Sequence, residues 1–395
     1  MKLGSETLSP TELTIITNLC CSDWEFKTAD TGYYTHRCHS YSAKYIPQIP
    51  NVLISNFTKR NDLVLDNFVG SGTTLVESKL LGRKAIGVDI NPLACLISKV
   101  KTTIIEKSSR DKISEFLVSL RGEILLLRDS ITVLSFKEKI LDMDDPVLKG
   151  ALHNNIPKWY HWNVIYELLT IKSKIDIIEN IDVKDFLLVA FSSILRNVSN
   201  AASGYGNLMI NKNAPAKNKI YEKFSRAVTN LLQSTLEFSL AATKSEISVV
   251  NQDSRRLGFI NDETIDFICT HPPYMAAVPY AEYQKLSLWW LGYCQDKLEK
   301  SLIGGRRSRD DTPERYFDDM DVSLTEMKRV LRKEKYCCIT IGNPVYHGKT
   351  WMLNDFIKND AKKIGFKLLK EIRRGKYHSA MGKMKEEFII VFKNE

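Results

Sequence analysis

Two short segments hold residue types that could do chemistry. The first is Thr270-His271-Pro272-Pro273-Tyr274, directly after the apolar run Ile265 to Cys269. Two prolines end a buried strand and stiffen the backbone that follows. Such a loop holds a polar side chain, a free carbonyl and an aromatic ring in fixed relation. That combination suits the exocyclic amino group of a planar base: side chain and carbonyl accept its hydrogens, and the ring stacks on its face. A rigid turn with a packed tyrosine would also produce the same string.

The second segment is Asp66-Asn67-Phe68-Val69-Gly70-Ser71-Gly72-Thr73-Thr74, after the apolar run Leu63-Val64-Leu65. Its glycines allow a tight turn and close approach by a ligand, and the following helix start presents free amides. It is not a P-loop, because no Gly-Lys-Ser/Thr follows. It is not the nicotinamide fingerprint either, because Leu75 stands at the third glycine position. Asp89 ends the next apolar run, Ala85-Ile86-Gly87-Val88. A carboxylate there can accept both ribose hydroxyls of a bound nucleoside. The bland alternative is a structural turn with Asp89 as a helix cap.

These segments need strands to position them, and the chain has the right alternation. Helix is expected over 51–57, after a turn-rich stretch at 45–50. Strands are expected at 63–65 and 85–88, with a helix between them and another after Asn91-Pro92. Residues 103–240 instead show long helical patterns, including 116–127 and 186–196. A glycine- and asparagine-rich stretch, 200–219, carries Lys212, Lys217 and Lys219 and reads as a mobile basic loop. Alternation resumes with strands at 247–250, 265–269 and 336–341 and helices near 280–291, 315–331 and 351–363. The end reads as an antiparallel hairpin of 366–372 and 387–392. The expectation is one α/β sheet, interrupted by a helical insertion, with ligands at the carboxyl ends of its strands. The division is 1–102 for the lid and first half of the sheet domain, 103–245 for the insertion and 246–395 for the second half.

Bulk properties narrow the class. The 395 residues carry a net charge of +9, consistent with a polyanionic partner. Eight cysteines without a C-x-x-C pair read as reduced thiols. His36, Cys38 and His39 lack the paired spacing of a zinc site, so no metal is expected. The first residues lack the apolar core of a signal peptide, and no apolar run approaches the ~20 residues of a membrane span. A cytoplasmic protein without a membrane partner is expected.

The two segments together resemble the cofactor and catalytic motifs of amino-group DNA methyltransferases, which make N4-methylcytosine or N6-methyladenine. Their catalytic motif is usually Asp/Asn/Ser-Pro-Pro-Tyr. His39-Ser40-Tyr41-Ser42-Ala43-Lys44-Tyr45-Ile46-Pro47 is similar to the extra cofactor segment upstream of the glycine loop. Tyr280 to Gly292 and Glu326 to Leu331 also fit, so the resemblance covers about 30–100 and 246–395.

The resemblance implies a Rossmann-like, seven-stranded class I methyltransferase sheet and S-adenosyl-L-methionine as cofactor. Asp66, Phe68 and Gly70-Ser71-Gly72-Thr73 would hold the cofactor's methionine end. Asp89 with Ile90 would hold its ribose, Asp253 would sit near its adenine, and Lys44 and Tyr45 would close over it. His271, Pro272, Pro273 and Tyr274 would act on a base flipped out of double-stranded DNA. The motif order makes the insertion the target-recognition region. Arg306, Arg307 and Arg309, with Arg373, Arg374 and Lys376 in the terminal hairpin, are candidate DNA contacts; solvated charged loops are the plain alternative. Trp289 and Trp290 read as core.

His271 departs from the family pattern. Imidazole can replace the usual residue only with an unprotonated ring nitrogen toward the amino group. Cytosine N4 is the favoured target, with adenine N6 as the alternative. An RNA methyltransferase and a non-catalytic cofactor-binding subunit are the readings from other classes. A restriction–modification setting with a cognate endonuclease is implied by the resemblance alone.

Overall fold

The computed structural model describes residues 9–130, 156–202, 208–276, 278–304, 311–375 and 384–395. The chain opens with helix α1 (Pro10–Cys21), whose Ser9 and Glu12 form a reciprocal capping box. Helix α2 (Gln48–Phe57) starts earlier than the apolar pattern implies. Pro50 lies in its first turn, where a missing N–H costs no hydrogen bond, so the turn-rich string is in part a helix start.

The sheet begins with β1 (Leu63–Asp66), α3 (Thr73–Leu80), β2 (Lys84–Asp89) and α4 (Pro92–Thr102). Asn91 caps α4, accepting from Leu93 N, and Pro92 follows at its first position. The insertion supplies α5 (Lys107–Ser130), α6 (Trp162–Asp176), α7 (Ile181–Val198) and α8 (Ile220–Ala241). The sheet resumes with β3 (Ile247–Asn251) and β4 (Ile265–Thr270). The helix expected near 280–291 is two short pieces, Tyr280–Tyr283 and Lys285–Trp290, broken at Gln284; a third spans Gln295–Ser301. Then come α9 (Thr312–Val330), β5 (Leu331–Tyr346), β6 (Lys349–Thr350), α10 (Leu353–Lys363), β7 (Phe366–Arg374) and β8 (Met384–Asn394).

Seven strands form the path β3-β2-β1-β4-β5-β8-β7, and β6 adds a two-residue pairing to β5. The first five strands are parallel; β8 runs antiparallel to β5 and β7 antiparallel to β8. The chain builds outward from β1 through β2 to β3, then crosses back to β4 beside β1. The order reverses between β1 and β4, which is where doubly wound sheets open a binding crevice. Every residue of β4 is buried, as a central parallel strand requires.

The insertion does not carry a separate core. Leu93, Ile97 and Val100 of α4 pack in one cluster with Phe186 and Phe191 of α7, Phe224 of α8 and Trp290. Trp290 is fully buried against Phe191 and Tyr160, with ring centroids 5.8 Å away in each pair. Trp289 packs at the edge of the same cluster. Among the described residues, no helix is long and apolar enough to cross a membrane.

Candidate active site

Asp66 ends β1 with a buried carboxylate that accepts three hydrogen bonds. Oδ1 takes Thr270 Oγ1 at 2.8 Å and the Phe68 amide at 3.1 Å; Oδ2 takes Thr74 Oγ1 at 2.6 Å. One side chain therefore fastens β1 to the first turn of α3 and to the end of β4. Burial raises its pKa to about 6 against the pull of these donors.

The loop after Asp66 turns at Gly70 (φ 49°) and Gly72 (φ 81°), left-handed conformations that favour glycine. A Cβ at Gly72 would lie 3.0 Å from Ser98 Cα, so α4 also requires a glycine there. The Val69 amide donates to Val88 O at 3.0 Å, and the Gly70 amide to Asp89 Oδ2 at 2.9 Å. Asp89 Oδ1 accepts the Asn91 amide at 2.9 Å. Burial raises Asp89 to about 6 as well. Behind the loop, Ser98 Oγ donates to Gly70 O at 2.8 Å and Lys101 Nζ to Ser71 O at 2.7 Å. Lys101 is fully enclosed, and burial lowers its pKa to about 7.

The upstream segment is fastened to α3 through the buried carboxylate of Glu77. Tyr33 Oη, His36 Nε2 and Asn51 Nδ2 reach it at 2.8, 2.7 and 2.7 Å. Lys44 Nζ donates to His36 O at 2.7 Å. His39 Nε2 bonds Ser192 Oγ of α7 at 2.9 Å, which ties the same segment to the insertion. His36 and His39 thus serve different elements. Among the described residues no cluster of three metal-ligating side chains occurs.

The second loop leaves the neighbouring strand. His271 stacks on Tyr45, with centroids 5.0 Å apart and planes 25° apart. Its Nε2 lies 2.6 Å from Tyr274 Oη. Tyr274 Oη donates in turn to Glu387 Oε1 of β8 at 2.9 Å, and Glu387 is ion-paired with Arg374 of β7. Burial lowers the His271 pKa to about 4, so the ring is neutral near pH 7.

Both loops border one cleft of about 760 Å³, open to solvent. Of the residues assigned to the cofactor, Lys44, Tyr45, Phe68, Gly70, Ser71, Thr73, Asp89, Ile90 and Asp253 line it. Asp66 and Gly72 do not; they shape the loop from behind. His271 and Pro273 line the cleft, whereas Pro272 and Tyr274 do not. Tyr274 is 4% exposed, so in this conformation its ring offers no face to a base. The reason is the buried acceptor Glu387, which claims its hydroxyl. The aromatic side chains that do border the cleft are Tyr41, Tyr45, Phe68 and Tyr280.

Three further expectations meet a different arrangement. Asp253 borders the cleft, but Arg255 grips its carboxylate through Nε at 2.9 Å and through the terminal nitrogen at 2.6 Å. Burial works against the charge of Asp253, yet the guanidinium outweighs it and holds the carboxyl below the usual range. Arg374 is not available to a phosphate: it is 5% exposed, paired with Glu387, and donates from Nε to Trp24 O at 2.8 Å. Arg373 is exposed and paired with Glu386. Arg306, Arg307, Arg309 and Lys376 lie outside the described residues.

Sequence reading passed over Asn67, Asn91, Glu77, Lys101 and Glu387. Asn67 sat inside the glycine-loop string, and Glu387 was visible as an acid beside the apolar run of β8. For Glu77 and Lys101 the only signal was a charge within a helix otherwise facing the core. Asn67 Oδ1 and Ser71 Oγ are buried without a hydrogen-bond partner among the described residues, and both residues line the cleft. Two orphaned polar atoms beside a glycine loop and two carboxylates fit a polar ligand with an amino-acid end and a ribose.

The sheet order, the antiparallel terminal hairpin and a glycine loop at the reversal point together define a class I methyltransferase fold. A family model described as DNA methylase, of the N6/N4 type, matches residues 16–100. The chain is 27% identical over 372 residues to the type II methyltransferase M.MvaI of Kocuria varians, covering 80% of this chain and 79% of that protein. It is 24% identical over 302 residues to M.BsoBI of Geobacillus stearothermophilus, covering 69% of this chain and 55% of that protein. A solved putative DNA modification methylase from Thermus thermophilus, complexed with S-adenosyl-L-methionine, aligns at 20% identity and a TM-score of 0.25. The alignment covers 36% of this chain and 53% of that one. Residues 16–100 are thus similar to the amino-group DNA methylases, and the larger part of the chain is similar to type II DNA methyltransferases.

Proposed function

We propose that this protein transfers a methyl group to the exocyclic amino nitrogen of a base flipped out of double-stranded DNA, with cytosine N4 as the target. The observation that carries this reading is Asp66. By bonding Thr74 and Thr270 together it brings the glycine loop and His271 to the same cleft.

Gly70, Ser71 and Thr73 would hold the cofactor's methionine end, Asp89 and Ile90 its ribose, and Lys44 and Tyr45 would cover it. Bound S-adenosyl-L-methionine supplies an already electrophilic methyl group. What remains for the chain is alignment, which can be worth ~7–11 kcal/mol. The base nitrogen is delocalised into its ring and is a poor nucleophile. Accepting one of its hydrogens at His271, which lines the cleft, favours a more tetrahedral nitrogen with an available lone pair. The nitrogen takes the methyl as the methyl's bond to the sulfonium sulfur breaks, leaving a neutral thioether, and the cationic amine then releases one proton through His271 to solvent. A ring from Tyr41, Phe68 or Tyr280 could stack on the base, which offsets the few kcal/mol of unstacking.

Serine is commoner at this position in the cytosine-N4 branch of the family and Asp or Asn in the adenine-N6 branch; His271, like serine, offers neither a carboxylate nor an amide. The insertion, 103–245, is the proposed target-recognition region, and a cytoplasmic protein with a cognate restriction endonuclease is the proposed setting. The test is incubation with tritiated S-adenosyl-L-methionine and unmethylated DNA, followed by nucleoside analysis. Label in N4-methylcytosine is expected. Label in N6-methyladenine would overturn the base, and no label in DNA would overturn the reaction.

A further inference from the structure

His271 is the one residue at which the catalytic loop departs from its family's pattern, and a neutral imidazole can serve it in only one of two tautomers. Nε2 sits 2.6 Å from Tyr274 Oη, and the phenol sits 2.9 Å from Glu387 Oε1. A phenol has a single proton. Glu387 is the carboxylate of an ion pair with Arg374, which is itself anchored on Trp24 O, and it accepts from Tyr274 Oη. The phenol proton therefore lies toward Glu387, and the phenol oxygen faces Nε2 with a lone pair. Nε2 must then carry the imidazole proton. In the opposite tautomer, phenol and carboxylate oxygens would meet at 2.9 Å with no proton between them, or Nε2 and the phenol oxygen would meet with none.

We propose that Glu387, acting through Tyr274 and held by Arg374, fixes His271 as the Nε2–H tautomer, so that Nδ1 is the acceptor for the target amino group. Nδ1 has no hydrogen-bond partner among the described residues, and His271 lines the cleft. Stacking on Tyr45 restrains the ring plane, and the Nε2 bond restrains rotation within it. Tyr274 and Glu387 are thus positioning residues 113 positions apart along the chain, and Arg374 is a third. The assignment deepens the amino-methyltransferase reading and rests on it for the role of Nδ1, though not for the tautomer itself.

The test is ¹⁵N spectroscopy of the full chain with labelled histidine, the His271 signals being identified by their loss in His271→Asn. Expected is the Nε2–H pattern for His271 near pH 7. Glu387→Gln turns an N–H toward the phenol oxygen, so the phenol O–H turns to donate to an unprotonated Nε2 and the imidazole proton sits on Nδ1. Its kcat should fall roughly 10-fold or more while cofactor Kd stays within about twofold, as when an imidazole is held in the wrong tautomer. Tyr274→Phe, which keeps the ring, should also lose the single tautomer and slow kcat. An Nδ1–H pattern in the unaltered protein would overturn the proposal. So would a Glu387→Gln variant that folds with tautomer and kcat unchanged. If the unaltered protein shows Nε2–H yet labels no DNA, the relay stands and the methyl-transfer reading fails.

Discussion

The glycine loop and the catalytic loop leave neighbouring parallel strands and border the same cleft, yet they are held in different ways. The glycine loop is fastened within its own βαβ unit. Val88, Asp89, Ser98 and Lys101 all lie within 30 residues of the loop backbone they grip. The catalytic loop depends on the far end of the chain. Its histidine answers to Glu387 and Arg374 on the terminal hairpin, and Arg374 answers to Trp24. On the proposed roles, a local device supplies cofactor binding and a long-range one sets the acceptor for the amino group. The two should therefore fail separately.

The sharpest separation is expected from His271→Ala. It removes the acceptor without touching the glycine loop, so kcat should drop by about 10²- to 10⁴-fold. Cofactor Kd by calorimetry should stay within about twofold, and a parallel loss of cofactor binding would break the comparison. Next comes Arg374→Met, which leaves Glu387 buried without its partner. A loss of about 3–5 kcal/mol is expected in urea unfolding, against less than about 0.5 kcal/mol for the exposed Arg373→Ala. Equal effects would place Arg374 among surface charges.

Gly72→Ala tests the local device. Its φ of 81° and the 3.0 Å approach to Ser98 make any side chain strained. A cost of about 1–2 kcal/mol is expected, with weakened cofactor binding and kcat at saturation largely retained. A kcat loss as large as that of His271→Ala would show that the loops are not separable.

The smallest effect is with pH. Burial raises Asp89 to about 6 and lowers His271 to about 4. From about pH 7.5 to 5.5 Asp89 takes up a proton, and so does Asp66 behind the loop, while His271 stays neutral; of the two carboxylates only Asp89 lines the cleft. If its charge holds the ribose, KM for the cofactor should rise about fourfold, the change in ionised fraction for one group of that pKa. Saturated kcat should stay level. A kcat falling with an apparent pKa near 6 would assign the titrating group to the catalytic step instead.

Local pattern reached a long way into this molecule. The apolar runs at 63–65, 85–88 and 265–269 became β1, β2 and β4, and the end of the chain became the antiparallel hairpin. Where reading and structure parted, the cause was local competition. Pro50 opened a helix within a string that looked like a turn, and Gln284 broke a helix that looked continuous. Arg374 misled because alternation along a strand does not reveal which of two neighbouring arginines faces inward: Arg373 is out and Arg374 is in.

By itself, the sequence determined the strand–helix alternation, the glycine loop, the carboxylate at the end of β2 and the proline-stiffened catalytic loop. Each of these is a short-range consequence of backbone freedom and side-chain period. Only the tertiary structure decided that Tyr274 turns away from the cleft, that Asp66 joins β1 to the first turn of α3 and to the end of β4, and that Glu387 reaches His271 through Tyr274. Those outcomes depend on which buried donor finds which buried acceptor. That pairing is settled when β8 docks against β5 and brings together groups 113 residues apart, a separation that no local pattern spans.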